Sequence, residues 1–373
     1  MNYLYENRIL PKELECQIIE NISLHQFFEQ SFSGIKTKNY CGFLELNSNS
    51  YFILPKITNN KEQNLEIFIY MLIYAYDIKI DIDSFISSKD KSFKFIELFI
   101  EYFTNTLLKE LKQGVYKEYI TKQENLRVLK GNYIPSKNFS NFYNQNIFCE
   151  FDEFSPNNKL NQFFLYAIKL FKKVTKSKKL MQTEAIFDEV EYKNININRI
   201  KIDWNRLNSR FSKSFDIAML ILKKLIALPS KGSNRNFAFL FDMAEVFEDF
   251  VGKLYKSVDK TTTLQKQRNF GSLALKPDII TNSYIIDTKY KKLSKRDELS
   301  TQDKYQMFVY GINLEQQNTM LLYPKHLVDI DDNLELGIGD NLINLRLKSL
   351  DLDFDGGYLE YIEEMKIRIR EVD

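Results

Sequence analysis

Residues 273–290, Leu-Ala-Leu-Lys-Pro-Asp-Ile-Ile-Thr-Asn-Ser-Tyr-Ile-Ile-Asp-Thr-Lys-Tyr, place carboxylates and an ammonium where core strands should have none. Two apolar runs flank the polar turn Thr281-Asn282-Ser283, which predicts a β-hairpin. Asp278 follows Pro277 in the first run, and Asp287 follows Ile285-Ile286 in the second. Lys289 comes two residues after Asp287, and strand side chains alternate, so the two share a face. Burying two acids and an ammonium together is costly unless something binds them. A divalent cation and a phosphate group would do so, and the implied chemistry is phosphodiester hydrolysis. An isolated Asp-x-Lys is more often a solvated pair on an edge strand, so the flanking elements decide its meaning.

Those elements are predicted as follows. Phe237–Tyr255 reads as an amphipathic helix with Phe237, Leu240, Ala244, Phe247, Val251, Leu254 and Tyr255 in its buried stripe. Glu248 falls at the edge of that stripe, a placement suited to a metal ligand or a group beside one, whereas Glu245 lies about 60° further round and is the weaker candidate. Downstream, Ser300 is placed to N-cap a helix over Thr301–Asn313, with Gln306 and Tyr310 stacked on one face. The basic run Lys289–Arg296 lies between and could meet DNA phosphates. Strands are expected at Met320–Pro324 and Leu342–Leu352, and a final helix over Tyr358–Arg370. Hard-cation chemistry then assigns Asp278, Asp287 and Glu248 as oxygen ligands of Mg²⁺ (or Mn²⁺), with Lys289 orienting the attacking water.

The first half is read more coarsely. Tyr40–Leu46 and Tyr51–Leu54 predict a second hairpin, followed by helices over Leu65–Tyr76 and Ser92–Lys112. Residues 114–133 and 149–161 read as aromatic-rich loops. Helices are expected over Lys159–Lys173 and within Trp204–Leu228, and the lysine-rich 172–179 as a solvated face. Pro-Ser-Lys-Gly-Ser-Asn-Arg-Asn, residues 229–236, is the strongest linker signal.

Composition sets limits. A 44% apolar, 27% charged chain of 373 residues is an ordinary globular one, long enough for two domains. A net charge of +2 supplies little non-specific affinity for DNA. Only two histidines argue against a multi-histidine metal site, and no Gly-x-x-x-x-Gly-Lys-[Ser/Thr] loop occurs, which argues against a P-loop nucleotide site. Three scattered cysteines, no signal-peptide pattern and no apolar run of membrane-spanning length lead to the expectation of a cytoplasmic protein with no membrane partner.

With these elements in place the chain resembles the PD-(D/E)xK nuclease superfamily, through Pro277-Asp278, Asp287-Thr288-Lys289 and the Gln306…Tyr310 pair. Four further stretches narrow the resemblance to the McrC family, the nuclease subunits of McrBC-type restriction systems. They are Gly42-Phe-Leu-Glu-Leu leading to Leu54-Pro-Lys-Ile57; Gly114-Val-Tyr through Leu129-Lys-Gly131; Phe151-Asp-Glu-Phe-Ser-Pro-Asn-Asn-Lys-Leu-Asn161; and Asn205-Arg-Leu with Arg210. The resemblance implies an α+β or α/β chain. Residues 1–160 would form a mixed β-hairpin and helical stalk that docks on an McrB-like AAA+ GTPase hexamer and stimulates it. Residues 161–373 would form a restriction-endonuclease-like domain, a mixed sheet flanked by helices, that cuts double-stranded DNA in phage defence. It also implies catalytic roles for Asp278, Asp287, Lys289, Glu248 and Gln306. Two alternatives stand beside it: an McrC-like nuclease for unmodified, sequence-defined sites, and a catalytically silent activator of the ring.

Overall fold

The structure, a computed structural model, describes residues 2–47, 49–79, 91–141, 145–228, 236–293, 295 and 298–372. The chain divides into two compact units, Met1–Phe95 with Ile226–Asp373, and Ile96–Leu225. The predicted linker 229–236 lies outside the described residues except for Asn236.

The discontinuous unit rests on two sheets. The first has five strands in the order Asn2–Tyr5, Asn49–Leu54, Tyr40–Leu46, Phe237–Asp242 and Leu225–Ala227. Tyr40–Leu46 and Asn49–Leu54 are the predicted hairpin. On its other edge Tyr40–Leu46 pairs antiparallel with Phe237–Asp242, from Glu45↔Phe237 to Tyr40↔Asp242. Here the structure corrects the sequence reading, which starts a helix at Phe237. Phe-Ala-Phe-Leu-Phe is apolar at every position and carries no period to separate strand from helix. The unpaired edge of Tyr40–Leu46 decides the matter, because a strand there satisfies both backbones. The rings of Phe52, Phe68, Phe95, Phe239 and Phe241 pack together, with centroids from 4.9 Å (Phe239–Phe241) to 6.3 Å (Phe68–Phe241).

The helix therefore begins at Met243, where Asp242 Oδ1 accepts from the Ala244 N–H at 2.9 Å as N-cap. It buries Met243, Val246, Phe247, Phe250, Val251, Leu254 and Tyr255, while Ala244, expected in the stripe, is exposed. It packs against the helices Lys61–Ala75 and Tyr358–Val372 and leads into the second sheet.

That sheet has six strands in the order Thr263–Leu264, Ile279–Ile280, Ile285–Thr288, Asn318–Pro324, Ile343–Leu350 and Asp331–Leu336. Ile279–Ile280 and Ile285–Thr288 form the predicted hairpin. The run 273–280 is not one strand, however. Leu273–Leu275 pairs with Arg268–Phe270, and Lys276-Pro277-Asp278 separates the two pieces, as expected where proline offers no N–H to a ladder. Ile285–Thr288, Asn318–Pro324 and Ile343–Leu350 run parallel. Thr301–Asn313 is the helical crossover between the first two, with Ser300 as the predicted N-cap (Oγ to Asp303 N, 3.1 Å). Leu275, Ile285, Met307, Leu321, Tyr323, Leu345 and Leu347 form the core beneath it.

The second unit contains the helices Lys159–Val174, Lys178–Ala185 and Ser212–Lys224, and a sheet of Glu118–Leu126, Ile147–Ser155 and Asn132–Tyr133. The two predicted loops are thus a long antiparallel pair, in register from Glu118↔Ser155 to Leu126↔Ile147. Their polar, aromatic composition reflects exposure: Tyr119, Tyr133 and Phe154 are all exposed. The root of this pair is fastened at Tyr116. Its carbonyl accepts from Asn158 Nδ2 (3.0 Å) and Asn161 Nδ2 (2.7 Å), and Arg210 Nη2 donates to the Gly114 carbonyl at 2.8 Å. The lysine-rich stretch is partly consumed in structure, since Lys172 pairs with Glu184 and Lys179 with Glu101. Residue 160, the sequence-based boundary, falls inside the helix Lys159–Val174 of this unit. Among the described residues no helix is long and apolar enough to cross a membrane.

Gly42 tests the strand pairing that unites residues 1–95 with the C-terminal part. Its φ is +137°, and an added Cβ would lie 2.3 Å from the Phe239 carbonyl oxygen on the neighbouring strand. Gly42→Ala is expected to cost about 2 kcal/mol or more and to lower Tm by about 5 °C in a thermal melt. An unchanged Tm would show that the pairing does not carry the fold.

Candidate active site

Asp287 and Lys289 stand at the C-terminal end of a parallel strand, where open α/β sheets place their ligands. The ladder runs one residue past the strand: the Lys289 N–H donates to the Leu322 carbonyl at 2.9 Å. Lys289 Nζ then lies 2.5 Å from Asp287 Oδ2, as period-two alternation predicts. Gln306 closes the arrangement. Its Oε1 accepts from Lys289 Nζ (3.1 Å), and its Nε2 donates to Asp287 Oδ1 (3.2 Å) and to Tyr310 Oη (3.0 Å). The Gln-x-x-x-Tyr spacing thus sets the amide beneath the ion pair, and Tyr310 Oη donates onward to the Lys276 carbonyl at 3.2 Å.

Asp278 is drawn to the same end of the hairpin. Its Oδ2 accepts from Thr288 N (2.7 Å) and Thr288 Oγ1 (2.9 Å), one residue beyond Asp287. Glu248 arrives from the helix Met243–Val258, half-buried, while Glu245 is exposed. All five predicted residues therefore converge. Of the basic run, Lys289 and Lys291 are turned toward Asp287 and Asp303, Lys292 and Lys295 are exposed, and Ser294 and Arg296 lie outside the described residues.

Two residues of the site were not legible in the sequence. Gln265 has φ +46°, a conformation uncommon for a residue with a Cβ, and such strain gathers at functional sites. Its N–H donates to the Asp278 carbonyl (2.8 Å), its Nε2 to Glu248 Oε1 (2.6 Å), and its Oε1 accepts from Lys276 Nζ (3.2 Å). It is the strut between the helix carboxylate and the hairpin. Asp303, buried in the first turn of Thr301–Asn313, pairs with Lys291 and lies 3.8 Å from Lys289 Nζ.

The electrostatics follow from crowding acids in a half-buried place. Burial first, and then the Asp278 charge and hydrogen bond, push the Glu248 carboxyl up to about 7. Burial and Asp278 raise Asp287 to about 6 against the opposing pull of Lys289. Burial works against the Lys289 ammonium, yet Asp287, Asp303 and Asp278 together hold its pKa above the usual value. For the Asp287–Lys289 pair, burial outweighs the attraction on the acid side and attraction outweighs burial on the lysine side.

Among the described residues no three His, Cys, Asp or Glu side chains form a ready metal cage. Mg²⁺ does not need one, because it is commonly held by one or two carboxylates, waters and substrate phosphate. The donor set here is hard oxygen throughout. Asp287 Oδ2 is buried and receives no well-directed hydrogen bond, although Lys289 sits beside it. Glu248 and Asp278 repel one another. A hard divalent cation fits that donor set, with Lys289 standing against one of its oxygens.

Residues 35–324 match the family described as McrBC 5-methylcytosine restriction system component. Among solved structures, the chain is similar to one from the refined half-complex of the tetradecameric assembly of Thermococcus gammatolerans McrB AAA+ hexamers with bound McrC. The TM-score is 0.59 at 18% identity, covering 100% of this chain and 99% of that one. A chain of the cryo-EM structure of the Thermococcus gammatolerans McrBC complex matches at TM-score 0.48 and 22% identity, covering 69% of this chain and 87% of that one. No curated protein matches the sequence.

The crowding has a measurable sign. An acid raised from 4.5 to about 7 favours the folded state fully below 4.5, and that contribution is lost as pH climbs through about 7. Glu248→Gln mimics the protonated form. In EDTA at pH 8 it is expected to raise Tm by about 2 °C, with no gain at pH 4.5. A gain independent of pH would mean that charge crowding is not its source.

Proposed function

Because the chain belongs to the McrBC 5-methylcytosine restriction system component family, we propose that it is the McrC-type endonuclease subunit of a restriction complex. It cuts double-stranded DNA when assembled with an McrB-like AAA+ GTPase hexamer whose hydrolysis it stimulates. The observation that carries this reading is the meeting of Asp278, Asp287, Lys289, Gln306 and Glu248 at one end of the parallel strands, an arrangement that supports a PD-(D/E)xK core. A purely structural pairing has no use for three mutually repelling acids.

A bound Mg²⁺ (or Mn²⁺) would polarise the scissile phosphate and lower the pKa of a bound water. Asp287 and Asp278 would hold it, with Glu248 positioned by Gln265. Lys289 would orient the attacking water and neutralise charge gathering on the phosphate oxygens. Gln306 fixes Lys289 and Asp287 relative to each other, so that lysine and carboxylate meet the phosphate in one geometry.

The unit Ile96–Leu225 is proposed as the piece that docks on the ring, in place of residues 1–160. Three of the stretches that carry the family resemblance, at 114–131, 151–161 and 205–210, converge in it around Tyr116. Its long exposed strand pair offers Tyr119 and Phe154 side by side, ring centroids 5.2 Å apart, to a partner. The solved chain with which it shares its fold comes from an assembly with McrB AAA+ hexamers. A net charge of +2 leaves DNA affinity to be supplied by such a partner.

The test is cleavage of linear DNA, with and without modified cytosine, by this chain, Mg²⁺, the ring protein encoded beside it and GTP or ATP. Cutting is expected only with partner and nucleotide together. Asp287→Asn and Lys289→Gln should each lose at least about a hundredfold in cutting while partner hydrolysis stays stimulated. Stimulation without any cutting, in the unsubstituted chain, would make it a silent activator. Cutting of unmodified DNA alone would remove the modification dependence.

A further inference from the structure

Lys289 sits where the proposed cation would bind. Its ammonium is 2.5 Å from Asp287 Oδ2, so a divalent ion approaching that oxygen would be repelled by the lysine in this position. The ammonium is substantially shielded and must go to another acceptor. Two lie within reach among the described residues: the neutral Gln306 Oε1 at 3.1 Å, already bonded, and Asp303 Oδ1 at 3.8 Å. A carboxylate is the stronger acceptor for an ammonium. We propose that Asp303 is the alternate seat of Lys289, drawing the lysine off Asp287 when a divalent cation takes that carboxylate. This deepens the nuclease reading and rests on it.

Asp303 is built for such a role. Its backbone is fixed by the Ser300 cap, Oγ to N at 3.1 Å. Lys291 holds its Oδ2 and leaves Oδ1 facing Lys289. Only 6% of the residue is exposed, and a carboxylate so buried requires cationic company. Asp287 and Asp303 carry two negative charges, and Lys289 and Lys291 two positive ones. A divalent ion on Asp287 would push Lys289 off that carboxylate, a shift that a flexible four-carbon stem accommodates by rotation. The lysine would then stand beside the cation, where a water or phosphate oxygen would be. Asp303 acts through Lys289 and is a positioning residue. The plainer role for it is that of a first-turn helix acid, stabilised by the helix dipole and by Lys291.

The two roles separate in a double-mutant cycle read by cation binding, without DNA or partner. Mn²⁺ is titrated calorimetrically into the full chain in 150 mM KCl, a salt level chosen for screening at about 8 Å. Loss of the binding in Asp278→Asn identifies the site. Asp303→Asn is expected to weaken Mn²⁺ binding about tenfold, because Lys289 then stays on Asp287. Lys289→Gln is expected to tighten it, and in that background Asp303→Asn should change binding about twofold or less. Lys291→Gln, at an exposed side chain, frees Asp303 for Lys289 and should tighten binding about threefold, again only while Lys289 is present. That variant carries the test should Asp303→Asn fail to fold. Equal shifts in both backgrounds, or none, would overturn the alternate seat and leave the nuclease reading standing. Absence of any Mn²⁺ binding that Asp278→Asn removes would overturn the alternate seat, and the nuclease reading would then be decided by the cleavage assay.

Discussion

The pairing of Phe237–Asp242 with Tyr40–Leu46 is the constraint on which the architecture depends. It brings the N-terminal hairpin and the C-terminal half into one unit and leaves residues 96–225 as an inserted unit of their own. It also sets the chemistry at one remove. The strand ends at Asp242, which caps the helix Met243–Val258, and the sixth residue of that helix is Glu248. The glycine that lets the two strands approach, Gly42, therefore acts on the same chain of positions as the carboxylate that faces Gln265. The long loop closed by this pairing costs little more than a short one, since closure entropy grows only slowly with length.

Within the second sheet a different constraint rules: too many acids for the space. Asp287 is almost wholly buried, Asp278 and Glu248 crowd one another, and Lys289 is paired with Asp287. Such a cluster lowers the stability of the ion-free chain and is retained where ligand binding recovers the loss. Gln265 and Gln306 have complementary duties. One amide holds a carboxylate of the helix to the hairpin, and the other holds the carboxylate and ammonium of the strand to the crossover helix.

What the sequence disclosed of this was what local periodicity can disclose. Asp287 and Lys289 were legible because strand alternation needs no knowledge of neighbours. Gln306 and Tyr310 were legible because four-residue spacing on a helix is equally local. Glu248 emerged in spite of a misplaced helix start, since the angular step from residue 243 onward is the same wherever the helix begins. Phe237–Asp242 was misread because a uniformly apolar run has no phase, and only a strand edge far away in sequence assigns it. Gln265 was invisible because its meaning lies in a backbone angle and in the register of Thr263–Leu264 against Ile279–Ile280. Asp303 was hidden behind an ordinary explanation, as acids favour the first turn of any helix. The insertion left one local mark, the linker signal at 229–236 close to its C-terminal boundary, and none at its start, because a strand that waits for a partner looks like any other strand.

That waiting has a kinetic side. As the chain is synthesised, Tyr40–Leu46 emerges with one edge matched by Asn49–Leu54 and the other bare until Phe237–Asp242 appears. At about 5–20 residues per second this interval is on the order of ten seconds or more. A bare apolar strand edge is a template for unwanted pairing throughout that time. The segment 96–225 is continuous and can be complete before the interval ends. The order of emergence is therefore fixed: every residue of the inserted unit is made before any of the carboxylates that meet in the site.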